Sequence, residues 1–163
     1  MPTDDRYRKT YPISWEQLHR DSKALAWRLV DKRAWRGIVA ITRGGLVPAA
    51  VIARELDLHV VDTVCIQSYA WKDRGEIRIL KSVEGDGEGW LLIDDLVDTG
   101  KTASVAREML PNAHFATVYA KPAGRPLVDT YITEVSQDTW ILFPWDSESQ
   151  FVTPIVGLKG QGQ

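Results

Sequence analysis

The sequence predicts an α/β domain built on a central, mostly parallel sheet flanked by helices. Three observations carry that reading. Short continuous apolar runs recur along the chain, as strands covered on both faces require. Between them lie segments whose apolar residues recur at three and four positions, which implies strand–helix–strand crossovers. And 163 residues with 44% hydrophobic content suffice for one domain with a sizeable core but not for two ordinary ones, so residues 1–163 read as a single domain.

Ser14-Trp15-Glu16-Gln17 fits a capping box, with Ile13 and Leu18 placed as a hydrophobic staple. A first helix is expected from Trp15 to about Val30, its buried face carrying Trp15, Leu18, Ser22, Leu25, Ala26 and Leu29. Gly37 to Ile41 reads as a buried strand, and Pro48 to about Leu56 as the helix that follows. Further strands are expected at His59 to Ile66, Trp90 to Ile93 and Phe115 to Ala120, with a helix from Ala103 to Leu110. From about residue 67 to 89 periodicity fails and Gly, Asp, Glu, Lys and Arg dominate, the pattern of a long functional lid. Residues 157–163 read as a frayed tail.

Composition narrows the function. A net charge of −2 gives no basic field for duplex nucleic acid, so no nucleic-acid partner is expected. The single cysteine, Cys65, sits in an apolar run and reads as core filler in a reduced compartment. No secretory segment and no run near ~18 apolar residues is present, which predicts a soluble, cytoplasmic protein. Seven tryptophans hint that some serve an interface or a stacking site.

The segment from Leu91 to Ala103 is the richest in chemistry: a hydrophobic strand, Asp94-Asp95, a small-residue loop Asp98-Thr99-Gly100-Lys101-Thr102, then a helix. A strand–loop–helix of this kind aims backbone N–H groups at one point and makes an anion site. Two adjacent carboxylates at the end of a buried strand are costly unless hydroxyl donors or a cation satisfy them, which points to sugar hydroxyls and Mg2+. Read alone, Asp98 would be a helix N-cap and the acid pair a solvated turn. Gly100-Lys101-Thr102 is not a P-loop, since position 95 is Asp where that pattern needs Gly. Thr42-Arg43-Gly44-Gly45 follows an earlier strand and offers amides and a guanidinium to a second polyanion, although alone it would be an ordinary turn.

The acid-acid-loop-threonine segment resembles the phosphoribosyl pyrophosphate signature of type I phosphoribosyltransferases. Thr42-Arg43-Gly44-Gly45, Val61 to Ile66, Glu84 to Gly89, Ala120 to Asp129 and Gln137 to Ile141 resemble the bacterial branch of that family that uses xanthine and guanine, and the similarity covers roughly Trp15 to Ile155. The resemblance implies the type I fold, with a flexible lid loop and a small hood. It also implies purine salvage: transfer of a phosphoribosyl group to guanine or xanthine, more weakly to hypoxanthine.

By the same resemblance Arg43 and Gly44 would bind the pyrophosphate, and Asp98, Thr99, Gly100, Lys101 and Thr102 the 5′-phosphate. Asp94 and Asp95 would take the ribose hydroxyls and Mg2+, with Asp95 the first metal candidate. Lys121 would meet the purine O6, Trp140 stack on the ring, the Ile141 backbone face the 2-substituent, and Asp98 act near N7 as the catalytic proton acceptor. Ser68 and Tyr69 match the lid. Without the signature upstream, Lys121 would be a solvated lysine and Trp140 a core residue.

The sequence departs from the family at three places: Lys101 for a common glycine, Thr42 for serine, and Gly75 where relatives carry an arginine, beside Arg74. The family further implies a homo-oligomer, often a tetramer, and in some members loose association with the inner membrane. Two rival readings are a hypoxanthine-preferring enzyme and a regulator that senses phosphoribosyl pyrophosphate on the same fold.

Overall fold

The computed structural model describes residues 6–68, 76–146 and 154–158. In chain order its elements are β1 (Lys9–Pro12), α1 (Trp15–Leu29), β2 (Gly37–Thr42), α2 (Leu46–Glu55), β3 (Val61–Ser68), β4 (Ile77–Lys81), β5 (Trp90–Val97), α3 (Lys101–Met109), β6 (His114–Ala120), a 3-10 turn (Arg125–Leu127), β7 (Thr130–Glu134), β8 (Thr139–Leu142) and α4 (Ile155–Leu158). They fall into two compact units: His19–Gln137, and Met1–Leu18 with Asp138–Gln163.

The larger unit holds a six-stranded sheet in the order β4-β3-β2-β5-β6-β7, parallel throughout except where β4 runs against β3. The connection through α2 carries the chain from β2 to β3 on one side, and that through α3 carries it from β5 to β6 on the other. Right-handed crossovers that step in opposite directions place their helices on opposite faces of a sheet. This explains why all of β2 is buried but its last residue. Val39, Ile41, Val64, Ile66, Leu92 and Phe115 form one apolar cluster with Ala103, Ala106 and Leu110. Leu25, Ala26, Leu29, Ala49 and Ile52 are buried on the helices α1 and α2.

In the smaller unit β1 and β8 pair in parallel, with Thr10 opposite Trp140 and Tyr11 opposite Ile141. The Ser14 hydroxyl accepts the Gln17 N–H at 3.1 Å, so Ser14 is the expected cap of α1, and Gln17 Nε2 donates to the Tyr11 hydroxyl at 2.7 Å. The expected buried face of α1 is present from Leu18 to Leu29, but Trp15 is 54% exposed and does not belong to it. The first turn of a helix often lies beyond the edge of the core it packs on.

Several boundaries differ from expectation. α2 begins at Leu46, with Gly45 as N-cap, so Pro48 sits inside the first turn, where its missing N–H costs no intrahelical bond. α3 starts at Lys101 rather than Ala103, and β5 continues through both acids to Val97. Part of the segment from 67 to 89, expected as an irregular lid, is ordered: β4 pairs with β3, Ser68 opposite Ile77. Its side chains are mostly exposed, so β4 is an edge strand with no buried face to impose a pattern on its sequence. Of the expected lid pair, Ser68 ends β3, while Tyr69 lies outside the described residues, as do Arg74 and Gly75.

Candidate active site

β2 and β5 pair only from Gly37–Trp90 to Ala40–Ile93. Beyond that, β2 stays with β3 as far as Thr42 opposite Cys65, and β5 stays with β6 as far as Val97 opposite Ala120. The two central strands thus part at their carboxyl ends, at the point where the connections depart in opposite directions. Crevices at such switch points are where open parallel sheets bind ligands.

The parting brings two predicted groups together. From β2 come Thr42, Arg43 and Gly44, the Thr42–Arg43 peptide being cis. Arg43 is exposed, and its carbonyl accepts the Leu46 N–H at 3.1 Å, starting α2. From β5 come Asp94 and Asp95. A Cβ on Gly44 would lie 2.5 to 2.6 Å from the three atoms of the Asp95 carboxyl group, so this backbone passes the acid at a distance only glycine permits. Gly45 is equally tight, its Cβ position 2.4 Å from the Ile93 carbonyl oxygen.

The acid pair is electrostatically loaded. Burial pushes the Asp94 carboxyl well above the usual carboxylate range, and the charge of Asp95 pushes the same way. Backbone amides offset part of this: Asp95 N donates to Asp94 Oδ1 at 2.9 Å and Leu96 N to Asp95 Oδ1 at 2.7 Å. Among the described residues no group of three or more His, Cys, Asp or Glu converges as a metal cage. Asp94 and Asp95 are the side chains here that could hold Mg2+, which binds through one or two protein carboxylates.

Asp98 lies three residues beyond Asp95, just past β5, and does not cap α3. That cap is Gly100, at φ +90°, which makes no side-chain cap hydrogen bond. The Asp98 carboxylate instead faces a buried ammonium: Lys121 Nζ donates to its Oδ2 at 3.0 Å, with the lysine side chain 1% exposed and the aspartate 30%. Lys121 follows β6 directly. Its N–H donates to the Val97 carbonyl at 2.9 Å, and its own carbonyl accepts the Arg125 N–H at 2.9 Å, so backbone bonds on both sides hold it beside the loop. The other aspartate oxygen, Oδ1, accepts Gln137 Nε2 at 2.7 Å.

Thr99 and Lys101 are exposed, Thr102 is half-buried and Gly100 is buried. A Cβ at Gly100 would come 2.7 Å from Leu127 Cδ1. The free N–H groups of the first turn of α3 therefore meet a loop without a side-chain cap, as an anion cradle requires.

Trp140 and Ile141 belong to the smaller unit, on β8. Trp140 is half-buried and meets Tyr7 edge-on, ring centroids 5.1 Å apart, and its Nε1 is buried without a hydrogen-bond partner among the described residues. Ile141 is buried.

Two residues were not singled out from sequence. Gln137 lay inside the Gln137 to Ile141 match but read only as part of a motif, since its partner Asp98 is thirty-nine positions away. Gly124 packs against the same loop, its Cβ position 2.4 Å from Val97 Cγ2 and 2.8 Å from the Asp98 carbonyl oxygen. Only the glycine in Ala123-Gly124-Arg125 hinted at that approach.

The model of the phosphoribosyl transferase domain family matches residues 14–151. A xanthine-guanine phosphoribosyltransferase of Desulfotalea psychrophila is 73% identical over 156 residues, covering 95% of this chain and 98% of the relative. One from Nitratidesulfovibrio vulgaris (strain DP4) is 72% identical over 162 residues, covering 99% of each. Among solved structures, a purine phosphoribosyltransferase from Pyrococcus horikoshii superposes with a TM-score of 0.76 at 26% identity, covering 90% of this chain and 99% of that one. With a family model across most of its length and relatives this similar from end to end, the chain belongs to the phosphoribosyl transferase domain family.

Proposed function

We propose that the protein transfers the 5-phosphoribosyl group of phosphoribosyl pyrophosphate to guanine or xanthine, and to hypoxanthine more weakly, releasing GMP or XMP and pyrophosphate in purine salvage. The observation that carries this is the crevice between β2 and β5, where the Gly44 backbone, next to Arg43, passes the carboxyl group of Asp95, which follows Asp94 and lies three residues before the Asp98 that pairs with Lys121. The near-full-length relatives named xanthine-guanine phosphoribosyltransferase support the choice of base.

The chemistry is displacement of pyrophosphate from the ribose C1 by a purine nitrogen, and handling of charge dominates it. The first-turn amides of α3, with Thr99, Gly100, Lys101 and Thr102, hold the 5′-phosphate. Arg43 and the Gly44 amide take the pyrophosphate. Asp94 and Asp95 orient the ribose hydroxyls and would hold Mg2+, Asp95 foremost, which when bound would supply charge neutralisation for the leaving group. On the base side Lys121 donates to O6, and Asp98 faces N7 to accept its proton or hydrogen bond. Family likeness gives Trp140 the stacking role and the Ile141 backbone the 2-substituent. The same likeness, with exposed Val60, Val61, Ile79 and Leu80, supports a homo-oligomer, a tetramer by family pattern. No helix among the described residues is long and apolar enough to cross a membrane. A cytoplasmic protein, loosely at the inner membrane if at all, fits the family.

The test is to mix the purified protein with phosphoribosyl pyrophosphate, Mg2+ and in turn guanine, xanthine, hypoxanthine, adenine and orotate, following nucleotide formation. GMP and XMP should form, and excess chelator should abolish both. Faster formation of IMP than of either would make this a hypoxanthine enzyme, and no product from any base would favour a sensor of phosphoribosyl pyrophosphate.

A further inference from the structure

We propose that Gln137 is a positioning residue for Asp98, an inference that rests on the reaction proposed above. Its amide is wired at both ends. Oε1 accepts the Ala123 N–H at 2.9 Å, and Nε2 donates to Asp98 Oδ1 at 2.7 Å and lies 3.5 Å from the Asp98 carbonyl oxygen. Because a backbone N–H must face the amide oxygen, the amide nitrogen must face the carboxylate, so the orientation of Gln137 follows from its partners.

Lys121 holds Oδ2 of the same carboxylate at 3.0 Å. A carboxylate gripped at both oxygens by donors from different segments has its plane set, and a catalytic acceptor needs such preorganisation. The two grips are not equivalent. In the proposed reaction Lys121 turns part of its donor capacity to the purine O6, so its hold on Asp98 weakens when the base arrives. Gln137 has no role toward the base and keeps its bond throughout. It is also neutral, so it holds the carboxylate without cancelling the charge that makes Asp98 an acceptor.

Gln137 further ties three segments of the larger unit: the loop after β5, the turn after β6 that carries Lys121 and Ala123, and the connection leaving β7, where Val135 N donates to the Ala120 carbonyl at 3.0 Å. One side chain sets the loop with the acceptor against the turn with the base-reading lysine.

The experiment compares wild type, Gln137→Leu, Gln137→Glu, Asp98→Asn and the double variant Asp98→Asn/Gln137→Leu in steady-state turnover of guanine. Gln137→Leu should lower kcat roughly 10- to 100-fold, as for a reacting group misplaced by about an ångström. The KM for phosphoribosyl pyrophosphate should stay within about threefold, since the substitution loosens Asp98 at the start of the phosphate loop but removes no group from Thr99, Gly100, Lys101 or Thr102. Gln137→Glu keeps size and shape but sets a second carboxylate against Asp98, so it should be the slower of the two Gln137 variants. In the Asp98→Asn background, Gln137→Leu should cost almost nothing more, because the residue it positions is already lost.

Wild-type kcat in Gln137→Leu and Gln137→Glu would overturn the inference while leaving the reaction in place. So would an equal fold-loss from Gln137→Leu with and without Asp98, or a Gln137→Glu protein as active as wild type. A wild-type protein that forms no nucleotide would overturn the reaction and the inference with it.

Discussion

Asp94 is a carboxyl group that the fold holds at a cost. Its folded pKa lies well above that of a carboxyl group in the unfolded chain, first because of burial and then because of Asp95. Between those two values the folded protein holds more protons than the unfolded chain, so stability falls as pH rises through that window and stays lowered above it. Asp94→Asn should therefore raise the Tm of the ligand-free protein near neutral pH and flatten its decline from acid, while turnover is lost; calorimetry across pH, paired with the nucleotide assay, checks both. A Tm unchanged at neutral pH would mean that the acid pair is already satisfied. At Gly44 the constraint is steric. Gly44→Ala puts a methyl group on the Asp95 carboxyl, so activity should drop sharply with little change in Tm, as assay and melting curves would report. The residues of this site were legible where a motif gathers them locally, as from Asp94 to Thr102. Gln137 was not, because its meaning lies in a hydrogen bond to a loop far away in sequence.

At the scale of elements, α3 depends on what precedes and follows it. Gly100 is its N-cap at φ +90° and leaves no room for a Cβ beside Leu127, so Gly100→Ala combines a left-handed strain with a clash. A destabilisation of about 1 to 3 kcal/mol is expected, measurable as a shift in denaturation midpoint without a change in slope. Near its other end, Arg107 reaches the Ala113 and Leu127 carbonyls and Asp129 Oδ2, at 2.7 to 3.0 Å. Burial of Asp129 works to raise its carboxyl, but the hydrogen bonds from Arg107 and the Phe115 N–H, with the charge of Arg107, hold it below the usual carboxylate range. The strands expected at β2, β5 and β6 carry continuous apolar runs where they are buried: β2 up to Ile41, Leu91 to Ile93 in β5 and Phe115 to Ala120 in β6. β4 and β7 lie at the sheet edges, and β1 and β8 have four residues each with only one another to pair with. None of these four has the burial on both faces that would write a pattern into its sequence. β5 was cut short because Asp94 and Asp95 look like the end of a strand, whereas β6 goes on pairing with it past both.

Across the whole molecule, a fold shared by enzymes acting on several bases must place its discrimination in a few side chains. Lys121 carries donors only, which suits a 6-oxo group and opposes the 6-amino group of adenine. A site built around such a contact can reject the wrong analogue by roughly 10⁴. Lys121→Ala should depress kcat/KM for guanine and xanthine and narrow their lead over adenine. Trp140→Ala should weaken all purines alike, by about 1 to 3 kcal/mol, because stacking tolerates any ring face. Selectivity unchanged in Lys121→Ala would place the base elsewhere. The burial of Lys121 also has a chemical side. An amine must be reachable to attack an electrophile, and this one is 1% exposed, its nitrogen 3.0 Å from Asp98 Oδ2. Acylating reagents that mark Lys9, whose side chain is 65% exposed, should pass Lys121 by, so the residue we propose to choose the base should be the most silent amine in a labelling map of the protein.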